Sequence, residues 1–356
     1  MNQKLIIKYF AFFPLGLVLL SSCMSTPNSN SSIKINTSSG SVQGTIQDEV
    51  VFWEDIPYAV APVGDLRWKA PRELVSPESL IELKEGNGCL QEASIYAGIQ
   101  GEGIVGQEDC LYLDIQAPLN NLNRRLPVMF WIHGGGNTSG VKDYYDFSEF
   151  IKQQQVMVVT INYRLGPMGW FTHPAIQGLQ SGLDKTSNFG TLDIIQALRW
   201  VKNNITSFGG DSENVTIFGE SAGGHNVLSL LSSPISNGLF HKAISQSGYT
   251  TTFTLEEAFG VNVNGDTVNE LGSDLALSQN DLSGYGSINK LYSEDPIKYG
   301  EEFQRYLRSI DGNDLFNAYN KISEDTFDRL PLLTRDGIVL HIDGMRAGLV
   351  ASKNKK

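Results

Sequence analysis

A chain of 356 residues, 41% hydrophobic and 10% aromatic, can bury a large core and is long enough for two domains or one large α/β unit. Its formal charge of -12 argues against nucleic acid and anionic membrane surfaces as partners.

The first 22 residues read as a targeting segment outside the fold. Lys4 and Lys8 precede an apolar run from Tyr9 to Leu20 that is short for a membrane span. The run ends at Leu20-Ser21-Ser22-Cys23, which resembles a bacterial lipobox. Cys23 is then expected to carry lipid and anchor the protein in the cell envelope, with 23–32 as a polar tether. The alternative is a plain signal peptide with a chance cysteine. With Cys23 so used, Cys89 and Cys110 remain as a pair. Two free thiols are the other reading, disfavoured in an oxidising compartment.

From Ile33 the sequence reads as one folded domain, 33–356. Ile33 to Asn36 and Ser41 to Gly44 alternate as short strands around Gly40. Phe52 to Ala61 and onward to Pro71 reads as an irregular packed segment, and Leu111 to Ile115 as a strand. Leu126 to Ile132 and Val156 to Ile161 are near-continuous apolar runs, suited to strands buried on both faces. A helical stretch around Tyr145 to Gln154 separates them. Asn188 to Asn203 places Leu192, Ile195, Leu198 and Val201 at helical spacing. A strand around Val215 to Phe218 and a short one at Lys242 to Ser245 follow. This alternation predicts an α/β fold with a mostly parallel, doubly wound sheet. Residues 251–330 are more polar and mostly helical, a cap region over the sheet.

The chemistry centres on Val215-Thr216-Ile217-Phe218-Gly219-Glu220-Ser221-Ala222-Gly223-Gly224. A buried strand, a sharp turn and a helix place Ser221 in a Gly-x-Ser-x-Gly spacing, a nucleophile elbow. Side chains two residues either side of the serine would collide where the helix crosses the strand, so Gly219 and Gly223 stand there. Such a serine works with backbone amides from the next residue and from a glycine-rich loop. Ala222 and His133-Gly134-Gly135-Gly136 have that form.

These segments resemble the type B carboxylesterase family, relatives of cholinesterase on the α/β-hydrolase fold. The resemblance runs from about Ile33 to the end of the chain. It includes Ile56-Pro57-Tyr58-Ala59, Glu108 to Leu113, His133 to Gly136, Asn162-Tyr163-Arg164-Leu165-Gly166, Phe208 to Asp211, Gly219 to Gly224 and Ala243 to Gly248. It implies an acyl-enzyme at Ser221, oxyanion donors at Gly135, Gly136 and Ala222, a Cys89–Cys110 bridge, and Ser247 supporting the triad from behind. The implied substrate is a small-molecule ester. No metal or organic cofactor is implied.

Two departures stand out. Asn137 occupies a place where an aromatic often follows the triple glycine. The family's triad acid and histidine lie after the serine, the acid beyond a segment like Leu330-Pro331-Leu332-Leu333-Thr334-Arg335-Asp336-Gly337, and the chain then stops at Lys356. His133, His173, His225, His241 and His341 fill no catalytic place, and Glu108 and Glu220 read as structural partners. The expectation is therefore an N-terminal portion of a serine carboxylesterase with the last sheet strands missing and little activity of its own. The rivals are a non-catalytic binding protein on the same fold, or an inactive truncated product.

Overall fold

The structure is a computed structural model that describes residues 33–84, 87–122, 124–261, 265–279, 282–323, 331 and 333–353. The leader, Cys23 and the tether lie outside those residues, as do parts of 251–330 and Leu330 and Leu332 of the late segment.

Strands β1 (Ile33–Thr37) and β2 (Gly40–Gln47) form the expected hairpin, with Gly40 at φ 140°. The next segment corrects the sequence reading, because Val50–Pro57 is a strand, β3. Its alternation is broken by a register shift between Trp53 and Ile56, where Asp55 takes φ 57°. A bulge of this kind hides the period-two pattern that reveals strands in a sequence. Strands β4 (Gln91–Ser94) and β5 (Ile99–Val105) form a separate two-stranded sheet. There follow β6 (Tyr112–Pro118), β7 (Leu126–Ile132), helix α1 (Ser148–Gln154) and β8 (Met157–Ile161). Short helices α2 (Gly166–Gly169) and α3 (Pro174–Gln177) precede the long α4 (Phe189–Asn204). Then come β9 (Gly210–Glu220), α5 (Ala222–Ser232) and β10 (Lys242–Gln246).

The main sheet has the order β1-β2-β3-β6-β8-β7-β9-β10. It is mixed. β1, β2, β3, β6 and β8 pair antiparallel in that sequence, whereas β8-β7-β9-β10 run parallel and carry the elbow. Alternate residues of β8 serve opposite faces, as a pleated strand requires. Met157, Val159 and Ile161 join the large core with Leu192, Ile195, Leu198 and Val201 of α4. Val158 packs the other way with Val50, Val156 and Ile151 of α1. Truncating one such buried leucine or isoleucine to alanine costs about 2–5 kcal/mol.

Beyond β10 the described residues form α6 (Leu255–Phe259), α7 (Ser273–Gln279), α8 (Tyr285–Glu294), α9 (Pro296–Ser309) and α10 (Gly312–Asn320). Leu277, Tyr285, Phe303, Leu307 and Phe316 from these helices gather with Trp68, Phe171 and Phe189 in a second core. Helix α11 (Met345–Lys353) packs against α5.

Candidate active site

Parallel strand β9 ends at Glu220 and α5 begins at Ala222, so Ser221 alone makes the turn, at φ 54° and ψ -116°. A non-glycine residue held there stores roughly 1–3 kcal/mol of backbone strain. The surroundings hold it in place. The Ser221 amide donates to the Gln246 carbonyl at 2.9 Å, and its carbonyl accepts from the His225 amide at 2.9 Å. A Cβ at Gly219 would lie 2.7 Å from the Gly223 carbonyl carbon, and one at Gly223 only 2.1 Å from Ile132 O. The collision inferred from the sequence is therefore real, and it involves β7 as well as β9.

The glycine loop leaves the end of β7 and abuts the elbow. A Cβ on Gly134 would sit 2.8 Å from Glu220 O and 3.5 Å from Ser221 Cβ. Two of the loop's carbonyls are engaged within the loop. His133 Nδ1 lies 2.9 Å from Gly134 O, and Gly135 O accepts from the amides of Thr138 and Ser139, both at 3.0 Å. In a trans peptide the N–H points opposite to its C=O. The amides of Gly135 and Gly136 consequently face away from those contacts, and neither they nor the Ala222 amide has a hydrogen-bond acceptor among the described residues. Ser247 follows the carbonyl that holds Ser221 and takes φ 52° at the exposed end of β10.

The Asn162-Tyr163-Arg164-Leu165-Gly166 segment fastens the loop from below. Asn162 Oδ1 accepts from the Lys142 amide at 2.8 Å, and the Tyr163 hydroxyl donates to His133 O at 2.7 Å. Arg164 forms a buried two-pronged ion pair with Asp193 at 2.7 and 2.8 Å, and the Gly166 amide donates to Asn137 O at 2.7 Å. Two contributors were not legible in the sequence. Gln91 grips Gly140 through both main-chain groups, at 2.7 and 3.0 Å. Lys142 is 2% exposed and meets Asp55, Asp114 and Asp143 at 2.9, 2.8 and 2.6 Å. A lone lysine in a polar stretch gives no sign of such burial.

All five histidines are described, and no ring nitrogen hydrogen-bonds Ser221 Oγ. His133 is buried and stacked on Tyr163, and burial lowers its pKa to about 4. His173 caps α3 through Nδ1 inside an aromatic cluster, its pKa lowered by burial to about 3. His241 Nδ1 accepts from the Val215 amide at the far end of β10, roughly 15 Å of strand away from the elbow. His341 Nδ1 accepts from the Asp343 amide. His225 packs against Tyr249 one helical turn beyond Ser221, with both ring nitrogens unpartnered and its pKa lowered by burial to about 4. In the late segment, Asp336 Oδ1 accepts from the amides of Ile338, Val339 and Leu340 at 2.9–3.1 Å. Glu108 is the partner of Arg67, with one bond at 2.8 Å and a second between Arg67 Nη2 and Glu108 Oε1.

Cys89 and Cys110 are joined, with their Cα atoms 4.9 Å apart. The bridge closes the loop that carries β4 and β5. A cavity of about 380 Å³ opens beside Thr138 and Ser139, just past the glycine loop, with Phe316 and Tyr319 of α10 on its other wall.

Comparison with known proteins agrees with this geometry. The carboxylesterase family model matches residues 31–334. Para-nitrobenzyl esterase of Bacillus subtilis is 42% identical over 227 residues, which is 63% of this chain and 45% of that protein. Fumonisin B1 esterase of Sphingopyxis macrogoltabida is 39% identical over 281 residues, covering 76% and 48% respectively. A solved para-nitrobenzyl (PNB) esterase structure superposes with a TM-score of 0.70 at 32% identity, covering 88% of this chain and 59% of its own. A Geobacillus stearothermophilus carboxylesterase gives 0.66 at 30% identity, covering 90% and 59%. The chain spans about half the length of the curated relatives it matches. On the matched residues, the sheet order and the elbow, the chain belongs to the carboxylesterase family.

Proposed function

We propose that the protein is a serine carboxylic ester hydrolase working through an acyl-enzyme at Ser221. One observation carries the reading: a strained serine ends a parallel strand beside the glycine loop, and the amides of Gly135, Gly136 and Ala222 have no acceptor among the described residues. In that mechanism Ser221 Oγ attacks the ester carbonyl carbon and gives up its proton. The amides of Gly135, Gly136 and Ala222 receive the oxyanion, each such donor being worth roughly 3 kcal/mol of barrier. The C–O bond to the alcohol breaks, the alcohol leaves with the proton, and water repeats the attack to release the acid and restore the serine. The ester carbonyl sits at Ser221 and the glycine loop, with 251–330 as the cap. The names of the relatives, esterases of para-nitrobenzyl groups and fumonisin B1, fit a small-molecule substrate.

The proton needs a base within hydrogen-bond reach. No described histidine meets Ser221 Oγ, and this favours a second reading in which the chain binds esters with little turnover. Hydrolysis of short-chain p-nitrophenyl esters separates the two. Turnover lost on Ser221→Ala supports the esterase. Saturable ester binding without turnover supports the binding protein, and turnover unchanged in Ser221→Ala defeats the assignment of the nucleophile.

We also propose export with a lipid anchor at Cys23 and Ser247 as a support of the acid–base pair. The Leu20-Ser21-Ser22-Cys23 motif supports the anchor, and the Cys89–Cys110 bridge fits the oxidising compartment that export implies. The likeness of Ala243 to Gly248 to the family pattern supports the second.

A further inference from the structure

The residue that departs from the family pattern, Asn137, is 1% exposed and sits at φ 58°. Its side chain therefore does not line an open pocket as an aromatic there would. Asn137 Oδ1 accepts from Asn226 Nδ2 at 2.8 Å, in a cluster where the Tyr163 hydroxyl lies 3.4 Å away. Asn226 is fully buried and lies five residues beyond Ser221 on α5, the helix whose first amide is that of Ala222. This amide–amide bond links the glycine loop directly to the elbow helix through side chains.

We infer that Asn137 and Asn226 are a positioning pair that sets the loop amides of Gly135 and Gly136 in register with Ser221 and Ala222; this rests on the oxyanion role proposed above. The reasoning is geometric. Two donors come from the loop and one from the helix, so their convergence depends on how the two segments are joined. A displacement near 1 Å at such a site costs on the order of 100-fold. Both side chains are buried, so solvent does not replace the bond between them when it is lost. Asn137 suits the place because asparagine tolerates left-handed backbone far better than an aromatic does.

The test uses equilibrium binding, which does not depend on a fast base. An alkyl trifluoromethyl ketone accepts the Ser221 hydroxyl across its carbonyl, forming the C–O bond while the proton passes to the ketone oxygen or to solvent. Its methylene analogue binds the same cleft without bonding. Fluorine NMR follows the adduct. Asn137→Gly keeps the backbone conformation and removes the acceptor, Asn226→Ala removes the donor, and Asn137→Asp keeps the acceptor. The first two are expected to weaken the adduct about 10- to 100-fold while leaving the analogue within about 2-fold. Asn137→Asp is expected to recover most of the loss. Asn137→Gly combined with Asn226→Ala should be no worse than the weaker single variant, since both break one link. Equal losses for both ligands, multiplied losses in the double variant, or no recovery with aspartate would overturn the proposal. A wild-type chain that binds the analogue yet forms no adduct would remove the oxyanion reading, and this pair's role with it.

Discussion

Lys142→Met probes the foundation of the glycine loop. The lysine stem ends between Asp55 and Asp114, whose side chains are 11% and 6% exposed, while Asp143 on its third side is 54% exposed. Methionine fills a similar volume and leaves two buried carboxylates facing an apolar tip. Breaking a buried pair by removing one partner costs about 3–5 kcal/mol, because the remaining charge is uncompensated. For a chain of this size that corresponds to a fall in Tm of roughly 6–15 °C. Burial holds the Asp114 carboxyl well above its usual range, and the Lys142 ammonium opposes that rise. Removing the ammonium raises it further. The folded variant then binds more protons than the unfolded chain between the ordinary and the raised pKa, so its stability falls as pH rises through that window. The gap between wild type and variant in urea unfolding should therefore be wider at about pH 8 than at about pH 5. Adding Asp114→Asn, which keeps an acceptor for the Asp55 amide at 2.8 Å, should recover at least half of the loss. A loss under about 1 kcal/mol, or a gap that does not change with pH, would refute the reasoning.

Replacing Cys89 and Cys110 together by serine opens a loop with a sequence separation of 21 and should cost about 3 kcal/mol, read by urea unfolding under non-reducing conditions. Gly223→Ala places a Cβ 2.1 Å from Ile132 O and should destabilise the fold by several kcal/mol while abolishing reaction at Ser221, a loss that Gly238→Ala, far from the elbow, should not reproduce in labelling. Mass spectrometry of the mature N-terminus should find Cys23 bearing diacylglycerol, and an unmodified terminus downstream of it would show ordinary secretion.

The elbow was legible because its constraint is local: glycines at two fixed offsets, an apolar strand before and an apolar helix after. The β7 and β8 runs were legible for a related reason, as strands buried on both faces need no alternation to be noticed. Strand β3 was not, since the bulge at Asp55 interrupts its period. The β4–β5 hairpin was hidden by its composition, with Gly101 and Gly103 inside β5 and mostly exposed side chains. The anchors of the site were the least legible. Asn137 and Asn226 are 89 positions apart, Gln91 and Gly140 are 49 apart, and no sequence pattern links either pair. Lys142 reads as a solvated charge until the fold brings Asp55 and Asp114 to it. Side chains that define a site by long-range hydrogen bonds leave no periodic trace.

The most direct measurement is the location of the covalent adduct formed with a fluorophosphonate probe, mapped by tandem mass spectrometry on the protein and on its Ser221→Ala variant. The expected result is a single phosphonylated residue, Ser221, with no labelling in the alanine variant. Slow labelling fits a serine without a hydrogen-bonded base among the described residues. Labelling at another serine, or equal labelling of the variant, would contradict the assignment of the nucleophile.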